Sequence, residues 1–384
     1  MIIRQRKLAY TLRWIFLIGA ISLPIIQQMP IFSIEYYRLL RNLIYLIFGG
    51  LSLAALYKLR LYKDDFIITL FSFIIFYVLL LDILSFIING SFGLTLQMLI
   101  PFGLLIVGRY RYPTGATWNT MLKIYVSLVV LMVFLNINYY MSSFSVMKMY
   151  VIPYKNQIGP MLGLSSIIVL SFMGDCLKKG LMSKSIGYGT MLVFLIYFQL
   201  IMRNRSGIIA FIIIGVIFLI KQKKSTYYLV VAIIAFIPLT IYFDRIFNFI
   251  WLSFTLNYDS SSLTSLSAGR IHDYMIAINY LKENFLLGSL PDGRGPNISP
   301  LNYILNIVMN YGIFALPLVI LYIGLIVFSL KRILYGSTER SILIGLLLAY
   351  SLIISMFEYS FPYGPGVSQM ILWLTLGVTL HEGN

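Results

Sequence analysis

Three arginines in two short polar stretches have the residue type and spacing suited to binding an anion. Arg203 and Arg205 lie two residues apart in the turn RNRSG, and Arg270 lies in SLSAGRIHDY. A guanidinium can bind phosphate oxygens through two parallel hydrogen bonds. The backbone amides of Ser206 and Gly207, at the start of a predicted helix, would be further donors. The alternative for Arg203 and Arg205 is that both side chains reach lipid headgroups from a helix end.

Three residues could transfer a proton beside such an anion. His272 and Asp273 lie two and three residues after the third arginine, and Glu358 lies in MFEYSFPYGPG between the last two apolar runs. An imidazole or a carboxylate can accept a proton from an attacking hydroxyl. The alternatives are an ordinary surface position for His272 and Asp273, and a structural ion pair with an arginine for Glu358.

The elements that must position these residues are membrane helices. The 384-residue chain is 60% hydrophobic and only 11% charged, whereas charged residues make up about 25% of a soluble domain. Runs such as IIAFIIIGVIFLI are apolar on every side, whereas the strands of a membrane barrel alternate apolar and polar residues. The predicted fold class is therefore an all-α integral membrane protein.

A hydropathy window of about 19 residues predicts about twelve transmembrane helices, which we interpret as one polytopic membrane domain over residues 1–384. Asn310, Gly312 and Pro317 could divide the tenth apolar run into an interfacial piece and a span, and Asp82 in the third must be paired or line a cavity. The runs are 8–29, 39–57, 66–88, 92–108, 119–138, 157–174, 185–202, 207–220, 227–243, 301–330, 341–357 and 367–380.

The distribution of basic residues predicts the topology. Lys and Arg recur three to a segment on the side of the N-terminus and are fewer in the short segments of the other side. Because cytoplasmic loops carry the excess of basic residues, both termini are predicted to be cytoplasmic. The polar segment 244–299, between helices 9 and 10, is then a long exoplasmic loop.

One short amphipathic helix is predicted within this loop. Apolar residues recur at spacings of three and four after Arg270, and Ser267 or Gly269 would cap the helix. The glycine-rich stretch LLGSLPDGRGPN lacks the GKS or GKT of a P-loop and predicts a tight turn back to the membrane. The apolar residues of the predicted helix are Ile271, Tyr274, Met275, Ile278 and Leu281.

Several classes of function are disfavoured by composition. The net charge of +16 is scattered between apolar runs, which indicates topology and not a nucleic-acid surface. One cysteine, Cys176, and two histidines, His272 and His381, leave no internal disulfide and disfavour a metal site. We therefore expect neither a metal nor another cofactor.

These motifs together resemble the O-antigen and capsule polymerases of the Wzy type and the related O-antigen ligases. The resemblance is carried by the arginine-serine-glycine turn within residues 203–215 and by SAGRIHDY, LLGSLPDGRG and NYILNIVMNYGIFAL within residues 267–316. It implies a glycosyltransferase of the bacterial plasma (inner) membrane, acting at its outer face. Such an enzyme transfers a glycan en bloc from undecaprenyl pyrophosphate to another lipid-linked repeat unit.

The resemblance also implies roles for the candidate residues. Arg203, Arg205 and Arg270 would hold the pyrophosphate without a metal, and Glu358 or His272 would deprotonate the attacking sugar hydroxyl. Membrane lipid and the undecaprenyl-pyrophosphate-linked oligosaccharide are the implied ligands. The chain-length regulator and flippase proteins of the same pathway are implied partners, and no nucleic acid is involved.

Two alternatives depart from the polymerase pattern. A ligase of this family carries a histidine just before the helix that follows the long loop, where this chain has Ser299, Pro300 and Asn302. A flippase for lipid-linked sugars should carry charges inside several spans and show two related halves, whereas only Arg13 and Asp82 clearly fall within predicted spans. Both comparisons favour the polymerase.

Overall fold

The computed structural model describes residues 18–19, 21–29, 34–57, 66–89, 94–111, 115–138, 155–202, 204–221, 269–289, 296, 298, 300–358, 361–363 and 367–381. Every regular element within these residues is a helix. A 3₁₀ turn, Gly312–Ala315, joins the ninth helix to the tenth. In chain order the helices are α1 (Ile34–Tyr57), α2 (Phe66–Asn89), α3 (Leu94–Arg111), α4 (Gly115–Leu135), α5 (Lys155–Lys178), α6 (Met182–Ile201), α7 (Arg205–Lys221), α8 (Arg270–Asn284), α9 (Tyr303–Tyr311), α10 (Leu316–Tyr335), α11 (Glu339–Ser355) and α12 (Val367–His381).

Five helical stretches within the described residues are long and apolar enough to cross a membrane. They confirm a helical membrane protein, while the number of twelve spans stays a prediction. The predicted ninth run, 227–243, and loop residues 244–268 lie outside the described residues. The five stretches are Thr69–Ile88, Trp118–Leu135, Asn156–Lys178, Met182–Ile201 and Tyr303–Tyr335.

The chain groups into two compact units. Residues 1–136 and 274–384 form the first unit, and residues 137–273 form the second. The boundary falls inside α8, after its first turn. The interpretation of the chain as one domain concerns all 384 residues and stays a prediction.

The tenth apolar run is divided where its sequence predicts. Helix α9 ends at Tyr311, Gly312 has a φ of +55°, and α10 starts at Leu316 with Pro317 in its first turn. The 20 residues of α10 are about 30 Å long, which matches the hydrocarbon core of a bilayer. That α9 is the interfacial piece and α10 the span stays a prediction.

Helices α3 and α12 of the first unit cross at two glycines. A Cβ atom on Gly108 would lie 2.2 Å from the Leu374 carbonyl oxygen, and one on Gly377 would lie 2.1 Å from the Leu105 carbonyl oxygen. Small residues let membrane helices approach backbone to backbone in this way. Beside the crossing, the buried Arg109 donates a hydrogen bond to the Leu380 carbonyl at the end of α12.

Asp82 is paired, as its place in a predicted span requires. Its Oδ1 accepts a hydrogen bond from the Leu94 amide at 3.2 Å, and its Oδ2 accepts one from the Thr95 amide at 2.6 Å. These amides open α3, where backbone donors have no partner within the helix. The carboxylate of α2 therefore caps α3 and is favoured by its helix dipole.

Helix α5 is the buried centre of the second unit. Of its most apolar window, 89% is buried, and α6 and α7 pack against it. The Gln199 Nε2 atom of α6 donates to the Ser166 hydroxyl of α5 at 3.0 Å. Hydrogen bonds of this kind hold membrane helices together where no water is present to compete.

Candidate functional site

The arginine turn of the second unit is held by Asn204. The Asn204 Oδ1 atom accepts hydrogen bonds from the Gly207 amide at 3.4 Å and the Ser206 hydroxyl at 3.2 Å. Asparagine is a preferred cap at the start of a helix, because its side chain satisfies an amide that has no partner within the helix. The asparagine packs directly on α5, because a Cβ atom on Gly159 would lie 2.1 Å from Asn204 Nδ2.

This cap corrects the predicted use of the Gly207 amide. That amide donates to Asn204, so it is not a free donor for an anion, whereas the use of the Ser206 amide stays a prediction. The signal for the cap was present in the sequence, since asparagine just before an apolar run marks a helix start. Arg205 is the first residue of α7 and is half-buried, while Arg203 lies outside the described residues.

Helix α8 forms where the amphipathic helix is predicted. Arg270 is its first residue, and the Asp273 amide donates to the Gly269 carbonyl at 3.1 Å. Gly269 stands just before the helix with a φ of +80°, while Ser267 lies outside the described residues. Arg270 and Asp273 are half-buried, and His272 is exposed.

Both described arginines of the predicted anion site open a helix. Arg205 is the first residue of α7 and Arg270 is the first residue of α8. The helix dipole presents partial positive charge there, which disfavours a cation and favours an anion. An anionic ligand would therefore be favoured by the dipole at each position and would gain hydrogen bonds from a guanidinium.

Tyr274 ties α8 to two other elements of the first unit. Its hydroxyl lies 3.0 Å from the Leu301 carbonyl oxygen and 2.9 Å from the Met356 carbonyl oxygen, and donates to them. The Asn302 Nδ2 atom donates to the same Met356 carbonyl at 3.4 Å, while its Oδ1 accepts from the Leu305 amide and caps α9. The Met356 carbonyl is therefore a shared acceptor for α8 and the start of α9.

Glu358 follows this acceptor by two residues. Its side chain is buried, with 7% of its surface exposed. The Phe361 amide donates to the Glu358 carbonyl at 3.4 Å, and the Trp373 Nε1 atom donates to the Pro362 carbonyl at 2.8 Å. One internal hydrogen bond and one from α12 therefore hold the turn that follows this carboxylate.

Two tyrosines beside this turn bury their hydroxyls. The ring centroids of Tyr303 and Tyr363 are 5.3 Å apart, and neither hydroxyl has a hydrogen-bond partner among the described residues. Burial raises the pKa of Tyr363 well above its usual value, and the neighbouring Tyr303 and Tyr322 raise it further. Tyr363 therefore remains protonated near neutral pH and can donate a hydrogen bond but not act as a base.

The candidate residues divide between the two units. Glu358 belongs to the first unit with Tyr274, whereas Arg205, Arg270, His272 and Asp273 belong to the second. The hydrogen bonds that Asn204, Tyr274 and Asn302 make around these positions were not predicted from the sequence.

No family model matches the chain, and neither a curated protein nor a solved structure matches it.

Proposed function

We propose that this chain is a polysaccharide polymerase of the Wzy type, acting on O-antigen or capsule repeat units. It transfers an undecaprenyl-pyrophosphate-linked glycan en bloc onto another lipid-linked repeat unit without a metal. The observation that carries the proposal is that Arg205 and Arg270 each occupy the first position of a helix. Both positions favour a bound anion, and a lipid pyrophosphate is an anion that a membrane protein meets at the bilayer surface.

The proposed topology places this chemistry at the outer face of the bacterial plasma membrane. About twelve spans, with both termini in the cytoplasm, leave the 244–299 loop exoplasmic. The charge bias of the sequence supports this orientation. The apolar helices of the structure support a membrane location.

The proposed reaction is a displacement at the anomeric carbon of the donor glycan. The acceptor sugar hydroxyl attacks this carbon, a new glycosidic bond forms, and the bond to the pyrophosphate oxygen breaks. Negative charge then grows on the departing undecaprenyl pyrophosphate. Arg203, Arg205 and Arg270 would stabilise that charge more strongly in the transition state than in the ground state.

The proton of the attacking hydroxyl needs an acceptor. We propose Glu358 for this role, because its side chain is buried and the turn after it is held by a hydrogen bond from Trp373 of α12 to the Pro362 carbonyl. A rigid, desolvated carboxylate is a better positioned base than an exposed imidazole such as His272. Asp273, which shares the first turn of α8 with His272, would orient the proton acceptor.

The proposal is tested with the purified chain and synthetic undecaprenyl-pyrophosphate-linked repeat units, on a gel that resolves glycan length. Arg205→Ala and Arg270→Ala are each expected to lower the rate by about 100-fold or more. Lys282→Ala is the matched control, since it removes an exposed cation from the same helix as Arg270. It should retain the wild-type rate.

Conservative replacement separates charge from geometry. Arg270→Lys keeps the positive charge but loses the two-pronged donor, so we expect an intermediate rate. Equal loss in Arg270→Ala and Lys282→Ala would contradict a specific anion site. A wild-type protein that moves lipid-linked sugar across a reconstituted bilayer and forms no glycosidic bond would contradict the enzyme.

A further inference from the structure

An apolar stripe along α8 and the turn directly after it is exposed. Met275 and Ile278 of the helix, and Phe285 in the turn, are 59%, 49% and 54% exposed. The buried side of the same helix is marked by Ala277, and the hydroxyl of Tyr274 is hydrogen-bonded to other elements. The helix therefore has one side against the protein and a separate apolar side facing outward.

The turn that follows α8 joins this stripe to a membrane helix. The Ile313 amide donates to the Leu286 carbonyl at 3.2 Å, and the Ser289 amide donates to the Met309 carbonyl at 2.9 Å. A Cβ atom on Gly312 would lie 2.6 Å from the Leu286 oxygen. The backbones of the turn and of the junction between α9 and α10 are therefore in direct contact.

The outer surface of α10 continues this apolar surface into the bilayer. Its exposed apolar side chains recur at spacings of three and four, as expected for one face of a helix. Because α10 is long and apolar enough to cross the hydrocarbon core, this face would contact lipid in a membrane. The exposed residues of the face include Leu316, Ile320, Ile323, Val327, Leu330 and Leu334.

We propose that α8 lies in the headgroup region of the bilayer, with Met275, Ile278 and Phe285 inserted toward the acyl chains. The contact between Leu286 and Ile313 places its end at the level where α10 enters the membrane. Lys282 falls on the same stripe and is exposed. A lysine on an apolar stripe can reach the anionic headgroups while its methylene chain stays in the apolar layer.

The charges of the helix agree with a lipid surface as the ligand. Both Glu283 and His272 are exposed. Around the helix, Glu283 lies about 120° and His272 about 100° from the centre of the stripe. The apolar stripe therefore carries a basic residue and no acidic one, which suits the anionic lipids of a membrane surface. The inference concerns the position of α8 in the bilayer and does not depend on the proposed glycan transfer.

The test measures fluorescence quenching in the full-length protein in nanodiscs of phosphatidylethanolamine and phosphatidylglycerol. Cys176 is the only cysteine, so a Cys176→Ser background allows a single bimane label. Labels are placed at Met275→Cys and, as the matched control on another exposed face of α8, at Glu283→Cys. A third label at Ile323→Cys marks the middle of α10.

We expect a nitroxide at the fifth acyl carbon to quench the Met275 label at least about threefold more than the Glu283 label. Iodide in water should show the reverse preference. The Ile323 label should be quenched best by a nitroxide deeper in the acyl chain. Equal quenching of the Met275 and Glu283 labels by iodide would overturn the proposal. Shielding of the Met275 label from both quenchers would also overturn it, because protein and not lipid would then cover the stripe.

Discussion

The Tyr274 hydroxyl donates to the Met356 carbonyl at 2.9 Å and so ties α8 to the turn that carries Glu358. The two residues are 82 positions apart in the chain. Because the acceptor is a backbone carbonyl, the bond does not depend on the side chain at position 356. This hydrogen bond links α8 to the residue that follows α11.

Removing this hydroxyl should affect both stability and activity. Tyr274→Phe loses hydrogen bonds to two carbonyls, Leu301 and Met356, and we expect a loss of about 1–3 kcal/mol in the free energy of unfolding. Glycan polymerisation should fall as well, because α8 is no longer held at the Glu358 turn. Thermal unfolding in detergent measures the change in stability, and the gel that resolves glycan length measures the change in polymerisation.

The control for this prediction is Tyr280→Phe. It removes another hydroxyl of α8, which donates to the Gly288 carbonyl at 3.2 Å. We expect a similar loss of stability with polymerisation retained. Full activity in Tyr274→Phe, despite a lower melting temperature, would show that the bond to Met356 has no part in the site.

Glu358→Gln tests the assignment of the base. The amide has nearly the same shape as the carboxylate, so the melting temperature should change little, but it cannot accept the proton. We expect the polymerisation rate to fall by about 100-fold to 10,000-fold with binding of the lipid-linked donor unchanged. His272→Gln should stay active; the opposite pattern would move the role to His272.

Gly377→Ala tests the close crossing of α3 and α12. The added methyl group would lie 2.1 Å from the Leu105 carbonyl oxygen, so the two helices must separate. We expect a loss of about 1–3 kcal/mol in the free energy of unfolding. The control is Gly324→Ala in α10, where nothing lies within 4 Å of an added Cβ. There the higher helix propensity of alanine should leave stability unchanged or raised, and an equal loss in both variants would contradict the crossing.

Gly312→Ala tests the contact between α10 and the turn that follows α8. Gly312 and Gly269 both have positive φ values, +55° and +80°. Because alanine disfavours that conformation, we expect either substitution to lower the free energy of unfolding by about 1–2 kcal/mol. Only at Gly312 would the new methyl group also meet backbone atoms, at 2.6 Å. Gly312→Ala should therefore lower the melting temperature clearly more than Gly269→Ala, and equal shifts would argue against the close contact.

The sequence predicted the elements whose signals are local. The division of the tenth apolar run at Gly312 and the helix that begins at Arg270 are both confirmed. Each rests on residues close together in the chain, namely a glycine and a proline in one case and an apolar periodicity in the other. Such signals do not depend on the rest of the fold.

Contacts between different helices left no such signal in the sequence. The partners of Asp82 are the backbone amides of Leu94 and Thr95. Because every residue except proline has such an amide, the residue types at these positions do not mark them as partners. The same is true of the carbonyl that accepts from Tyr274. The periodicity of α8 also did not reveal which apolar residues face outward, because in a membrane protein an apolar side chain such as Met275 can face lipid or protein.

The proposed reaction forms a glycosidic bond and releases undecaprenyl pyrophosphate. The most direct measurement is the stoichiometry of the purified protein's reaction, comparing undecaprenyl pyrophosphate released with glycosidic bonds formed, in the presence of a chelator of divalent metals. We expect one undecaprenyl pyrophosphate for each new bond, with both products lost in Arg270→Ala. A competent lipid-linked repeat unit that yields neither product with folded wild-type protein would contradict the account.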